Sequence, residues 1–281
     1  MLRRAEFALV AVAAAVLLLV LTWFLAFHVA SFHHVDLRIL AGFTDLHRSR
    51  VDPIASVIAH LCNPKPFVYL GAAVVLVALV RRRFDVALVV GLILLGANVT
   101  TQLLKPLLAA PRSGLPGEIT ISAVSWPSGH ATAAMSLALC SVLAAPARAR
   151  PAVAAVGALF AIAVSYSFLT LGWHYPSDVL GGYLVASAWT LLGIAALLAV
   201  RRRAPAELGI EPSEHPPLTR TLRAPAGALL AAVASAALLF LARPHEVVTY
   251  AQAHRTFVIG AAAIAAMGFG LATGVMLTLR R

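Results

Sequence analysis

The chain consists of long apolar runs that are separated by short polar turns. The runs are continuous and rich in Ala, Leu and Val, and most approach or exceed the roughly 20 residues that an α-helix needs to cross a bilayer. A membrane β-barrel would instead alternate apolar and polar residues along each strand. The pattern predicts eight membrane-spanning helices, at about 7–29, 66–80, 84–104, 128–146, 151–172, 178–200, 225–242 and 257–279.

Composition points to the same class of protein. Hydrophobic residues make up 61% of the chain and charged residues 12%, whereas a soluble domain has about a quarter charged residues. The first run follows Arg3 and Arg4 and is longer than the apolar region of a signal peptide, so we expect an uncleaved first span. Cys62 and Cys140 lie on apolar stretches and are expected to be packing residues. The predicted fold class is an all-α integral membrane protein.

The segment from about residue 31 to residue 65 differs from the spans. Its apolar residues recur at helical spacing among polar ones, which predicts an amphipathic stretch at the membrane interface. The following span is short, so we expect it to recruit residues before Pro66 or to tilt. The irregular spacing of the acidic residues and histidines in this segment favours a wet interface over a metal site. They are His33, His34, Asp36, Asp45 and His47.

Positive charge orients the predicted spans. The formal net charge is +11, but Lys and Arg cluster at span ends and no basic helix face is present, which argues against a nucleic-acid partner. Of the 22 basic residues, 14 fall on one side of the membrane and 8 on the other. The positive-inside rule makes the first side cytoplasmic, with both termini on it. We therefore expect a multi-pass protein of the plasma (inner) membrane.

Residues with the chemistry to bind and transfer a phosphoryl group gather on the other, extracytoplasmic side. Lys105 ends the third span, Arg112 follows it, and the fourth span opens with Pro127-Ser128-Gly129-His130. The next loop on this side holds His174, and Asp178 comes four residues later. These are the candidate site residues.

Each candidate has a role that fits a phosphoryl group. Lys105 and Arg112 supply positive charge, and a guanidinium matches phosphate oxygens. Ser128 and Gly129 stand at a helix N-terminus, where free N–H groups favour an anion. The two histidines can divide the work of nucleophile and general acid, and Asp178 can orient His174.

These motifs resemble those of the type 2 phosphatidic acid phosphatase (PAP2) superfamily, over roughly residues 36–200. The family's first motif, Lys, six residues, Arg and Pro, appears as Lys105 to Arg112. The second, Pro-Ser-Gly-His, is intact at 127–130. The third, Ser-Arg, five residues, His, three residues and Asp, appears as Ser167-Phe168 followed by His174 and Asp178.

The resemblance implies a fold and a mechanism. Residues 1–200 would form a six-helix PAP2-type core with its motifs within 105–178, followed by a cytoplasmic linker over 201–224 and two additional C-terminal transmembrane helices over 225–281. His174 would form a phosphohistidine and His130 would protonate the leaving oxygen. Lys105, Arg112, Ser128 and Gly129 would bind phosphate. The family needs no metal or other cofactor.

The implied activity is hydrolysis of a membrane lipid phosphate or diphosphate, of the polyprenyl diphosphate, phosphatidic acid or phosphatidylglycerophosphate class. Two positions depart from the family pattern: Ser113 replaces Pro, and Phe168 replaces the phosphate-binding Arg of the third motif. Two alternatives therefore stay open. One is a phosphotransferase that uses the same phosphohistidine, and the other is a non-catalytic lipid-binding or transport protein on the same fold.

Overall fold

The computed structural model describes residues 2–112, 120–203 and 218–279, and every regular element within these ranges is an α-helix. In chain order they are α1 (Leu2–His28), α2 (Ala30–Thr44), α3 (Asp52–His60), α4 (Pro64–Val80), α5 (Phe84–Leu107), α6 (Gly129–Ala144), α7 (Arg150–Thr170), α8 (Pro176–Arg203), α9 (Leu218–Ala242), α10 (Pro244–Ala253) and α11 (Arg255–Thr278). The predicted all-α class is confirmed.

Six of the described helices, α1, α5, α7, α8, α9 and α11, are long and apolar enough to cross a membrane alone. Each lies where a span was predicted. Large apolar side chains on several of them are exposed, as lipid-facing positions require. The chain is a multi-pass membrane protein.

The other two predicted spans take different forms. The helices α3 and α4 are separated by a short break and meet at a bend of 54°, so together they would make one broken span. Pro64 opens α4 and has no N–H to continue the α3 ladder. The helix α4 thus begins before Pro66, at Pro64. The helix α6 has only 16 residues, or about 24 Å, but it is central and buried along almost its whole length.

The amphipathic segment folds as α2 and α3. The helix α2 is not among the helices that are long and apolar enough to cross a membrane. One prediction about it was wrong, since Asp36 is 2% exposed and does not line a wet interface. The C-terminal part of α2 packs against α10 and α11. The Phe43 ring meets that of Phe257 on α11 at 4.8 Å, and the hydroxyl of Tyr250 on α10 donates to the Gly42 carbonyl. The C-terminal helices therefore support α2.

Arginine side chains gather at one end of the bundle. Arg81 donates to the Ala144 carbonyl at 2.7 Å and so caps the C-terminus of α6. Arg150 donates to the Leu279 carbonyl at 2.9 Å, just beyond the end of α11. Because the last turn of a helix leaves carbonyls without partners, these bonds give the basic loops a structural role as well as an orienting one.

The candidate site residues lie at the opposite end. Phe27, near the end of α1, packs 4.7 Å from the Arg112 guanidinium, and His254, before α11, pairs with Asp45 at 3.0 Å. The start of α1 and the end of α11 therefore share the arginine-rich end, as the charge pattern predicts. The short helix α10 was not predicted. Most of the predicted linker, residues 204–217, and Ser113 lie outside the described residues.

Candidate active site

The Pro-Ser-Gly-His segment forms the start of α6. Ser128 is its N-cap, is fully buried, and accepts a hydrogen bond from the Ala131 N–H at 3.3 Å. The Ser128 N–H donates to the Asp178 carbonyl at 3.0 Å, which joins this segment to α8. The Trp126–Pro127 peptide bond is cis. The N-terminus of a buried helix therefore opens at the site, where its N–H groups favour an anion.

The close approach of α8 to this segment depends on a glycine. A β-carbon placed on Gly182 would lie 2.7 Å from the Ser128 carbonyl oxygen and 2.8 Å from the Ala131 β-carbon. Such contacts are too short for any side chain. The glycine thus allows α8 and the start of α6 to sit side by side, with their motif residues adjacent.

His174 and Asp178 form the predicted pair. Gly172, with φ of 68°, turns the chain after α7, and α8 begins at Pro176. The His174 Nδ1 lies 3.2 Å from Asp178 Oδ2, and the Tyr175 N–H donates to the same oxygen at 3.0 Å. This bond leaves Nε2 of His174 as the nitrogen that is available to a substrate.

His130 lies across from this pair. Its ring centroid is 6.2 Å from that of His174, so one phosphoryl group can contact both imidazoles. The His130 Nε2 is 3.0 Å from the Asn63 side-chain oxygen. Asn63 lies in the break between α3 and α4, and the bend between these helices places its polar side chain at the site.

Lys105 reaches the same place from the end of α5. Its Nζ is 3.9 Å from where a β-carbon on Gly129 would lie. The ammonium group therefore faces the α6 N-terminus, and both favour negative charge. Among the described residues, no three His, Cys, Asp or Glu side chains are grouped as metal ligands.

Comparisons with known proteins find a family and a solved structure that this chain resembles. Residues 86–203 match the model of the PAP2 superfamily. The part of the chain that carries most of the candidate site is therefore similar to the PAP2 superfamily. A crystal structure of a transmembrane PAP2-type phosphatidylglycerolphosphate phosphatase from Bacillus subtilis is similar, with a TM-score of 0.52 and 19% identity over 68% of this chain and 98% of that chain. A comparison with curated proteins finds no match.

The Arg112 side chain is buried and makes several hydrogen bonds within the chain. This side chain is 4% exposed and its guanidinium lies 3.7 Å from the Tyr175 ring. Nη2 donates to Asp178 Oδ1 and, at 2.8 Å, to the Ser125 hydroxyl. Nη1 donates to the Ser177 hydroxyl at 2.9 Å and to Asp36 Oδ2 at 3.5 Å. To bind a phosphate oxygen through either terminal nitrogen, Arg112 would exchange one of these contacts.

Phe168 occupies the third-motif position to which the family resemblance assigns an Arg. It is fully buried, with its ring 5.2 Å from that of His174 and 5.9 Å from that of His130. The space between the two histidines thus has an apolar wall instead of a cation. A phosphate there would depend on Lys105, the α6 N-terminus and, after an exchange of partners, Arg112 for its positive partners.

The structure adds site residues that the sequence did not reveal. Asn63, Asp36, Ser125 and Ser177 contact motif residues, but none belongs to a motif. Asn63 had one weak signal, because a polar residue next to Pro64 interrupts an apolar stretch. The partners of Asp36 are 76 and 141 residues away in sequence. No local pattern can report such contacts.

Proposed function

We propose that this protein is a metal-independent phosphatase that hydrolyses a lipid phosphate or diphosphate through a phosphohistidine. The observation that carries the proposal is the meeting of the His174–Asp178 pair with His130, next to Lys105 and the α6 N-terminus. The proposed nucleophile, the general acid and the anion-binding groups then surround the space that a phosphoryl group would occupy, as in-line phosphoryl transfer requires.

In the first step, Nε2 of His174 attacks phosphorus while Asp178 holds Nδ1–H. A P–N bond forms and the P–O bond to the leaving group breaks. His130 gives its proton to the leaving oxygen, which departs as an alcohol or as a lipid monophosphate. Asp178 stabilises the positive ring of the phosphohistidine.

In the second step, His130 acts as a base. It removes a proton from a water molecule, whose oxygen attacks phosphorus, and the P–N bond breaks to return His174. Inorganic phosphate leaves. Lys105, Ser128, Gly129 and Arg112 are the proposed ligands of the phosphate oxygens, because charge on those oxygens is best stabilised by prearranged donors.

We place the site on the extracytoplasmic side of the plasma membrane and both termini in the cytoplasm, on the strength of the arginine distribution. The headgroup of the lipid would reach His174 at the bundle end while its tails stay among the helices. By family analogy the substrate belongs to the polyprenyl diphosphate, phosphatidic acid or phosphatidylglycerophosphate class. We retain residues 1–200 as the catalytic core and 225–281 as an addition to it.

One observation favours a second candidate function. The buried ring of Phe168 removes a positive partner from the space between the histidines, and a charge-assisted hydrogen bond is worth about 1.5–3 kcal/mol. A chain that binds lipid phosphates without turnover would show this feature. A phosphotransferase would share the phosphohistidine and differ only in the acceptor.

The test is phosphate release by the purified protein in detergent, with a chelator present, from each of the three lipid classes. We expect release from at least one class, and a loss of about 1,000-fold or more in His174→Ala, because the nucleophile is gone. His245→Ala, an exposed histidine on α10, is the matched control and should keep full activity.

Other outcomes separate the alternatives. Binding of a lipid phosphate without release, unchanged in His174→Ala, would establish the non-catalytic function and overturn the phosphatase. Transfer of phosphate to an added alcohol at a rate exceeding hydrolysis would establish the transferase.

A further inference from the structure

We propose that Asp36 is a positioning residue of this site, which shares Arg112 with Asp178 and so leaves Asp178 able to support a positive charge on His174. The inference rests on the proposed phosphatase function and extends the site to a helix that lies outside the family match. It assigns a role to a buried carboxylate that the mechanism does not otherwise use.

The contacts of Asp36 fix the first turn of α8. Its Oδ1 accepts the Ser177 N–H at 2.9 Å and its Oδ2 accepts the Ser177 hydroxyl at 2.5 Å. Ser177 is the second residue of α8, so this N–H is one of those that a helix leaves without an internal partner. Asp36 therefore caps α8 from another helix. The next residue in that turn is Asp178, so the cap also determines where the partner of His174 stands.

The charges around Arg112 give Asp36 a second effect. One guanidinium lies between two buried carboxylates, with Nη1 directed to Asp36 and Nη2 to Asp178. When both carboxylates are ionised, the three groups carry a formal charge of −1, which can balance a positive imidazole ring on His174. If Asp36 is neutral, Arg112 neutralises Asp178 alone, and the positive ring of a phosphohistidine loses its compensation.

The ionisation of Asp36 makes this effect measurable. Burial raises the pKa of the Asp36 carboxyl to about 7, while the Ser177 hydrogen bonds and the Arg112 charge act in the opposite direction. The charged or titratable groups that face it are Arg112, Asp178, Tyr175 and, through Asp178, His174. As the pH rises through about 7, Asp36 loses its proton and begins to share Arg112.

Asp36→Asn imitates the protonated carboxyl at every pH. We therefore expect the ratio of wild-type to variant kcat to be within about twofold at pH 5.5, where both side chains are neutral. The ratio should rise to about tenfold at pH 8.5, where only the wild-type carboxyl is charged. A tenfold ratio corresponds to one pKa unit of support for the positive His174 ring. KM should change less than kcat, because three of the four proposed phosphate ligands, Lys105, Ser128 and Gly129, do not contact Asp36, and Arg112 keeps its contacts with Asp178 and Ser125.

Two further variants distinguish positioning from stability. Leu40→Ala removes a buried side chain one turn along α2; it should lower the melting temperature and leave a rate ratio that does not vary with pH. Ser177→Ala removes a hydrogen bond that lowers the pKa of Asp36, so the rise in kcat should move to higher pH. Circular dichroism and gel filtration check that each variant is folded.

The outcomes are distinct. A wild-type chain without phosphatase activity overturns the proposed function itself. An active wild type whose ratio to Asp36→Asn is the same at every pH, with no shift in Ser177→Ala, overturns the role of Asp36. If Asp36→Asn does not fold, the pH shift in Ser177→Ala alone decides the question.

Discussion

The ring centroids of His174 and His130 lie 6.2 Å apart, but the two side chains have different hydrogen-bond partners. His174 pairs with the carboxylate of Asp178, which in turn contacts Arg112 and, through it, Asp36. His130 has the neutral side chain of Asn63, from the break between α3 and α4. One histidine is thus held by a buried charged network and the other by a single amide.

The difference matches the two proposed tasks. A nucleophilic imidazole becomes positively charged when it binds phosphorus, and a buried positive charge needs a negative partner. A general acid must give its proton away, and a carboxylate beside it would oppose that step by stabilising the cation. An amide orients the ring without adding charge. The asymmetry therefore supports His174 as nucleophile and His130 as acid.

The largest expected effect comes from the charged network around His174. Asp178→Asn keeps the shape but removes the negative charge next to His174, and we expect kcat to fall by about 10³-fold or more, the size of such losses in other catalytic triads. Phosphate release under saturating lipid measures it. Asp45→Asn, an exposed carboxylate at the same end, should lie within twofold of wild type; a similarly small loss in Asp178→Asn would contradict the comparison.

Catalysis should be less sensitive to loss of Asn63, the neutral partner of His130. Asn63→Ala removes one hydrogen bond to His130, so we expect a drop of up to about 10-fold in kcat, because one such bond contributes about 0.5–1.5 kcal/mol. Asn98→Ala, which changes the same residue type on α5, should have no such effect. Asn63→Asp sharpens the test, because a carboxylate at this place should move the alkaline limb of the rate to higher pH. An unchanged alkaline limb in that variant would argue against His130 as the acid.

Phe168 lies beside both histidines, and changing it should affect anion binding more than kcat. Phe168→Arg adds a cation beside the two histidines, and we expect inorganic phosphate to inhibit about tenfold more tightly, within the range for a charge-assisted bond. Competitive inhibition constants measure this effect. Phe168→Met, which has no charge, should leave inhibition within about twofold; equal tightening in both variants would show that space, not charge, limits anion binding.

Much of this molecule follows from local properties of its sequence. The length of the apolar runs predicts the six long helices, and the charge bias predicts that the two ends of the chain share the arginine-rich end. The spacing from His174 to Asp178 predicts their contact, because the four-residue interval spans a helix start that Pro176 and Ser177 favour. Each of these properties depends on residues that are near one another in the chain.

Other features were decided by tertiary packing. Asp36 is polar in a polar segment, so its sequence context indicates an exposed residue, yet Ser177 and Arg112 bury it from 141 and 76 residues away. Arg112 looks like a free phosphate ligand in its motif, but two carboxylates and two hydroxyls surround it. The α6 helix is covered by its neighbours and not by lipid, although its apolar sequence fits either surrounding. The burial of a residue and the sharing of a charge depend on groups that are distant in the sequence and meet only in the folded chain, so no local pattern predicts them.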